Sequence, residues 1–114
     1  MTGIIYYNSN YENGIAQLKQ IEENYKMANI SSTYSYYTRS RAEITFENGD
    51  NWKVIRAGDN ARGYRWNIAY IERSVDLNTY RGIISCSALS FPFSATRLWG
   101  EGNLHIFDEV PLPF

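Results

Sequence analysis

The chain has 114 residues, 44% of them hydrophobic and 16% aromatic, with eleven Lys plus Arg against twelve Asp plus Glu for a net charge of −1. This length suits a single domain over 1–114, the ring content excludes a disordered chain, and the charge balance excludes a basic polyanion-coating protein and an acidic nucleic-acid mimic. One cysteine, Cys86, and one histidine, His105, exclude an internal disulfide and a thiolate zinc site, and with neither a secretory leader nor an apolar run of ~18 residues the expected setting is the cytoplasm.

Gly3 to Tyr7 is β-rich, and Ser9-Asn10-Tyr11-Glu12 follows with the Ser-x-x-Glu spacing of a capping box. A helix is therefore expected to start near Asn10 and to run over about 10–28. Ile15, Leu18, Ile21, Tyr25 and Ala28 recur at three- and four-residue steps, which sets one apolar stripe inward and leaves Lys19, Glu22, Glu23 and Lys26 in water. No other segment reads as a long helix. The Ser, Thr, Tyr and Arg of 31–40 have no helical period and are expected to be partly extended, as a loop or as the edge strand of a sheet.

Residues 41–55 alternate on both sides of Asn48-Gly49, the strongest hairpin signal in the chain. A two-residue turn there would oppose Phe46 to Asn51 and Thr45 to Trp52, mixing apolar with polar. A three-residue loop, Glu47-Asn48-Gly49 with Gly49 left-handed, opposes Phe46 to Asp50 and Ile44 to Trp52, and keeps Ile44, Phe46, Trp52 and Val54 on one face. A bulged hairpin is the expectation. A polar link over 57–63 then leads to a dense apolar strand, Trp66 to Ile71, expected to be central. Short strands are expected at Gly82–Ser87, Thr96–Trp99 and Leu104–Phe107, and the proline-containing tail Val110–Phe114 is not regular. The fold class is α+β: a single domain with a mixed or mainly antiparallel sheet and one main amphipathic helix packed on a face.

Little in this sequence has the spacing of a catalytic set. His105 lies between Leu104 and Ile106 and reads as an edge or half-buried histidine; Cys86 lies between two serines with no histidine nearby; no G-x-S-x-G elbow is present. No catalytic, cofactor-binding or metal-binding residue is expected. Between Arg39 and Arg81, eight basic residues interleave with tyrosines, but six acidic residues share the stretch, so it reads as a mixed-charge surface more than a phosphate track. Arg and Tyr are also the residues that dominate protein-interface hot spots. The candidate partner-binding residues are Tyr34, Tyr36, Tyr37, Arg39, Arg41, Arg62, Tyr64 and Arg65.

The order of these segments is itself informative. Ile4-Ile5-Tyr6-Tyr7, a capped helix, the Ile44-Thr45-Phe46-Glu47-Asn48-Gly49 hairpin, and Asp59-Asn60-Ala61-Arg62-Gly63-Tyr64-Arg65 leading into Ile68-Ala69-Tyr70-Ile71-Glu72-Arg73 resemble the Walker B half of the ATPase domain of tailed-phage terminase large subunits. In that family an I-x-F-x-N-G-S hairpin and an A-R-G-x-R link precede a strand ending in Asp-Glu. The resemblance covers roughly 3–85. The chain departs from the family where the chemistry resides: it has no G-x-x-x-x-G-K-[ST] loop, Glu72 stands at the position of the magnesium-binding Asp, and Arg73 stands at that of the catalytic Glu, where it cannot act as a base.

What the resemblance implies is a phage or prophage origin and a fold segment reused without its motor. The expected function is that of a non-enzymatic, phage-borne binding protein, anti-CRISPR-like, which inhibits a host defence complex such as a CRISPR effector nuclease by protein–protein contact in the host bacterial cytoplasm. Two other classes stand beside it: a nucleic-acid-binding accessory protein of phage DNA packaging, with the same arginines on phosphates, and a degenerate nucleotide-binding, ATPase-like protein with Glu72, Asp108 and Glu109 near a magnesium ion. An unpaired strand edge would also permit a homodimer.

Overall fold

In the computed structural model, which describes residues 1–8, 10–58, 64–85 and 104–108, the first apolar run forms β1 (Thr2–Tyr7). Ile5 and Tyr7 enter one hydrophobic core and Ile4 and Tyr6 another, so this strand is covered on both faces. Helix α1 (Tyr11–Met27) follows, capped by Asn10, whose Oδ1 accepts the Glu12 N–H at 3.0 Å. The cap falls one residue later than the Ser9 capping box expected from the sequence, because an asparagine oxygen already serves the first turn; Ser9 itself lies outside the described residues.

The inward stripe of α1 is Asn13, Gly14, Leu18, Ile21 and Tyr25, with Ile15 half-buried beside it. Ala28, expected in that stripe, is the exposed C-cap. Its position follows from a Schellman closure: Asn29 takes φ 61°, its N–H donates to the Lys26 carbonyl, and the Ile30 N–H donates to the Tyr25 carbonyl, both at 2.9 Å.

The central hairpin is as the alternation predicts. Its outer neighbour β2 (Ser32–Tyr37) pairs antiparallel with β3 (Ala42–Phe46), which pairs antiparallel with β4 (Asn51–Arg56). Ile44 lies opposite Trp52, the Phe46 N–H donates to the Asp50 carbonyl at 2.8 Å, and Gly49 has φ 93°. Ile44, Phe46, Trp52 and Val54 are all buried on the α1 side. The turn is locked to the helix by polar groups: Tyr25 Oη donates to Asp50 Oδ2 at 2.6 Å, Trp52 Nε1 donates to Tyr25 Oη at 3.0 Å, and the Met1 amino group lies 3.6 Å from Asp50 Oδ1.

Strand β5 (Ile68–Glu72) is buried along its whole length. The next segment differs from expectation: Ile83 and Ile84, read as extended, close helix α2 (Leu77–Ile84). The β preference of two branched residues is overridden by a good start, Asp76 accepting the Thr79 N–H, and by complete burial of Ile83 under the sheet. Trp66 Nε1 donates to the Ile83 carbonyl at 2.9 Å, satisfying one of the last turn's orphan acceptors. The expected strand at 104–107 is present as β6 (Leu104–Phe107). The strand expected at 96–99, the end of the one expected at 82–87, Cys86 and the tail 110–114 lie outside the described residues.

The strands form one mixed sheet in the order β2-β3-β4-β1-β5-β6, with β1 parallel to both β4 and β5, and β5 parallel to β6. The fold is α+β as expected, with α1 on one face and the short α2 on the other. Strand β5 is internal, but the middle of the sheet is β4 and β1. Among the described residues no helix is long and apolar enough to cross a membrane.

Candidate functional site

Among the described residues the tyrosine-rich segment picked out by composition is one edge of the sheet. Within β2, Tyr34 lies opposite Thr45, Tyr36 opposite Glu43 and Tyr37 opposite Ala42. Since Ala42 is buried on the α1 side, Tyr37 belongs to that face, and Tyr34 and Tyr36 belong to the other, their ring centroids 6.0 Å apart. Tyr34 is 56% exposed and Tyr37 50%, whereas Tyr36 is half-buried.

The face shared by Tyr34 and Tyr36 is polar where the hairpin crosses it. Asn51 Nδ2 donates to Glu43 Oε2 at 3.2 Å and to Thr45 Oγ1 at 2.9 Å. Lys53 Nζ lies 4.0 Å from Glu43 Oε2 and 5.7 Å from the centroid of the Tyr64 ring. Under β1 and β5 the same face instead carries Ile4, Tyr6 and Ile71, packed with Ile83 of α2.

The turn from β2 into β3 is held at several points. The Thr38 N–H donates to the Arg41 carbonyl at 2.8 Å, and the Arg41 N–H donates to Thr38 Oγ1 at 3.1 Å. From below, Tyr7 Oη donates to the Ser40 carbonyl at 2.8 Å and Tyr11 Oη to the Arg41 carbonyl at 3.0 Å. Burial pushes both phenols up, against the opposing charge of Arg56 at Tyr7 and with help from neighbouring tyrosines and Glu12 at Tyr11, so both remain donors at neutral pH. Burial, and secondarily Glu22, raises Tyr37 in the same way. Arg39 and Arg41 project as exposed side chains from this anchored turn.

Beneath the turn is a cleft of about 520 Å³, lined by Tyr7 and Asn8 at the end of β1, Ile55 and Arg56 at the end of β4, Ser40 and Arg41 of the turn, and Tyr64. It exists because β1 and β4 run parallel with Tyr7 beside Arg56, bringing two carboxyl ends to one place. Of the residues expected to form a site, the structure brings Arg41 and Tyr64 to this cleft, groups Tyr34 with Tyr36, and leaves Tyr37, Arg39 and Arg65 exposed. Arg62 lies outside the described residues. The sequence reading missed Tyr7, Asn8, Ile55 and Arg56 as cleft residues, and no periodicity could have found them.

Glu72 and Asp108, expected near a magnesium ion in the nucleotide-binding reading, are engaged separately. Glu72 is only 2% exposed; it accepts Asn13 Nδ2 at 3.4 Å and the Ser74 hydroxyl at 2.6 Å, while Asn8 Nδ2 donates to Ser74 at 3.1 Å. Arg73 Nε pairs with Asp108 Oδ1 at 2.5 Å on the surface. Glu109 lies outside the described residues, and among those described no group of three or more His, Cys, Asp or Glu could hold a metal ion. His105 is half-buried, its ring stacked on Tyr70 with centroids 4.5 Å apart. No family model matches the chain, and neither a curated protein nor a solved structure is significantly similar to it.

Proposed function

We propose that the chain is a non-enzymatic binding protein that acts by protein–protein contact through β2 and the turn that follows it. The observation that carries this reading is the outer edge of the sheet. Among the described residues β2 has a strand neighbour on one side only, with Tyr34 and Tyr37 half or more exposed along it and Arg39 and Arg41 at its tip. An edge strand offers a ladder of backbone donors and acceptors to an incoming segment, and rigid rings beside planar guanidiniums supply contact at low cost in entropy. The hydrogen bonds from Tyr7 and Tyr11 hold the tip in place before a partner arrives, which reduces the ordering cost of binding. The resemblance of 3–85 to a phage terminase segment supports a finer form of the proposal: a phage-borne inhibitor of a host defence complex, such as a CRISPR effector nuclease, acting in the host cytoplasm.

The test immobilises the protein, exposes it to lysate from a host with active defence systems, with and without nuclease treatment, and identifies what is retained by mass spectrometry. A stoichiometric, nuclease-resistant protein partner is expected, weakened about tenfold or more when Tyr34→Ala and Tyr37→Ala are combined. Retention that vanishes on nuclease treatment would transfer the arginines to a nucleic-acid-binding role, and retention indifferent to the two tyrosines would place the contact elsewhere.

A further inference from the structure

We infer that the cleft at the carboxyl ends of β1 and β4 binds a small phosphate monoester carrying a flat ring, a ligand separate from the protein partner proposed above. Its volume of about 520 Å³ falls within the roughly 300–1,000 Å³ of small-molecule sites. Its place is the open end of a parallel strand pair, where sheets with parallel strands leave a crevice for ligands.

The charge of the lining selects an anion. Among the described residues Arg41 and Arg56 both border the space, no carboxylate does, and neither guanidinium has a carboxylate within 4.0 Å. Two cations match the charge of about −1.5 to −2 on a phosphate monoester better than the single charge of a carboxylate, and the forked donors of a guanidinium fit phosphate oxygens in pairs. The remaining lining selects the body. Ile55 and the half-buried ring of Tyr64 offer an apolar side and a π face. Tyr7 Oη and Asn8 Nδ2 are committed to the Ser40 carbonyl and to Ser74, so they fix the wall in place before any ligand enters.

The experiment titrates ¹⁵N-labelled protein with AMP, ribose 5-phosphate and adenosine, which present ring with phosphate, phosphate alone and ring alone. Saturable shifts at Asn8, Arg41, Arg56 and Tyr64 are expected with AMP, with the two fragments weaker by about tenfold or more. Arg56→Gln should weaken AMP by about tenfold or more, since it removes one charge-assisted fork, while Arg65→Gln, which deletes an exposed cation outside the lining, should not. Absence of saturable shifts with millimolar AMP, shifts confined to other regions, or an equal loss in Arg65→Gln would overturn the site. Ribose 5-phosphate binding as tightly as AMP would overturn the requirement for a ring.

Discussion

At the scale of single residues, a tight constraint is the contact between Gly3 and Trp52. They are register partners on β1 and β4, and a Cβ on Gly3 would lie 2.5 Å from three atoms of the indole. The ring cannot yield, because its Nε1 is bonded to Tyr25 Oη and its edge packs on Tyr70 with centroids 5.9 Å apart. Gly3→Ala should therefore cost about 1–3 kcal/mol of stability by overpacking, read from the urea midpoint; an unchanged midpoint would mean that the strands part easily at this point. Tyr70 itself carries a pH signature. Burial pushes its phenol up to about 12, whereas an unfolded tyrosine ionises near 10. Between about pH 10 and pH 12 the unfolded chain thus releases a proton that the folded chain keeps, so stability is full below pH 10 and falls as pH rises through this window, by about 2 kcal/mol at its end. Tyr25, raised by burial and then by its bond to Asp50, acts in the same direction. The alkaline fall should be shallower in Tyr70→Phe, measured by denaturant midpoints at about pH 9 and about pH 11.5; parallel curves would deny Tyr70 this role.

At the scale of elements, local signals were legible wherever one residue decides the backbone. Gly49 and the alternation around it specify the hairpin and its register, and the apolar spacing specifies α1. The end of α1 was less legible, since Asn29 in the left-handed region, not the apolar Ala28, terminates it. Asn29→Gly should leave stability unchanged or slightly raised, and Asn29→Ala should lower it by about 1 kcal/mol, because only the latter adds strain at positive φ; equal melting curves for the two variants would show that the Schellman closure is not what ends the helix. Helix α2 departs from its local preference for a tertiary reason. Ile83 and Ile84 favour a strand locally, and although the Asp76 cap is a local signal three residues from Thr79, the seat of Ile83 beneath the sheet is a tertiary fact without a sequence period. The cleft was the least legible feature. Tyr7 and Arg56 are separated by the whole of α1, by β2 and β3 and by most of β4, and only the parallel pairing of β1 with β4, which no hairpin signal implies, makes them neighbours.

At the scale of the whole molecule, the sheet is graded from a sealed interior to an open edge. Strand β1 is flanked by β4 and β5 and buried on both faces, with α1 above it and α2 below, whereas β2 is exposed along nearly all its length and paired on one side among the described residues. Local opening requires little buried surface to be uncovered at β2 and almost the full core at β1. Amide hydrogen exchange should therefore be slowest in β1, near the rate set by global unfolding, and fastest at alternate residues of β2, whose N–H groups face away from β3. The same gradient links fold to function, because a strand edge that exchanges freely is one that an incoming partner can reach. If alternate amides of β2 were as protected as those of β1, the edge would already be covered. A concentration series would then identify the cover: protection that falls on dilution belongs to a second copy, and protection that persists belongs to the chain itself. Either result would move the proposed contact from the backbone edge of β2 to the exposed arginines of the anchored turn.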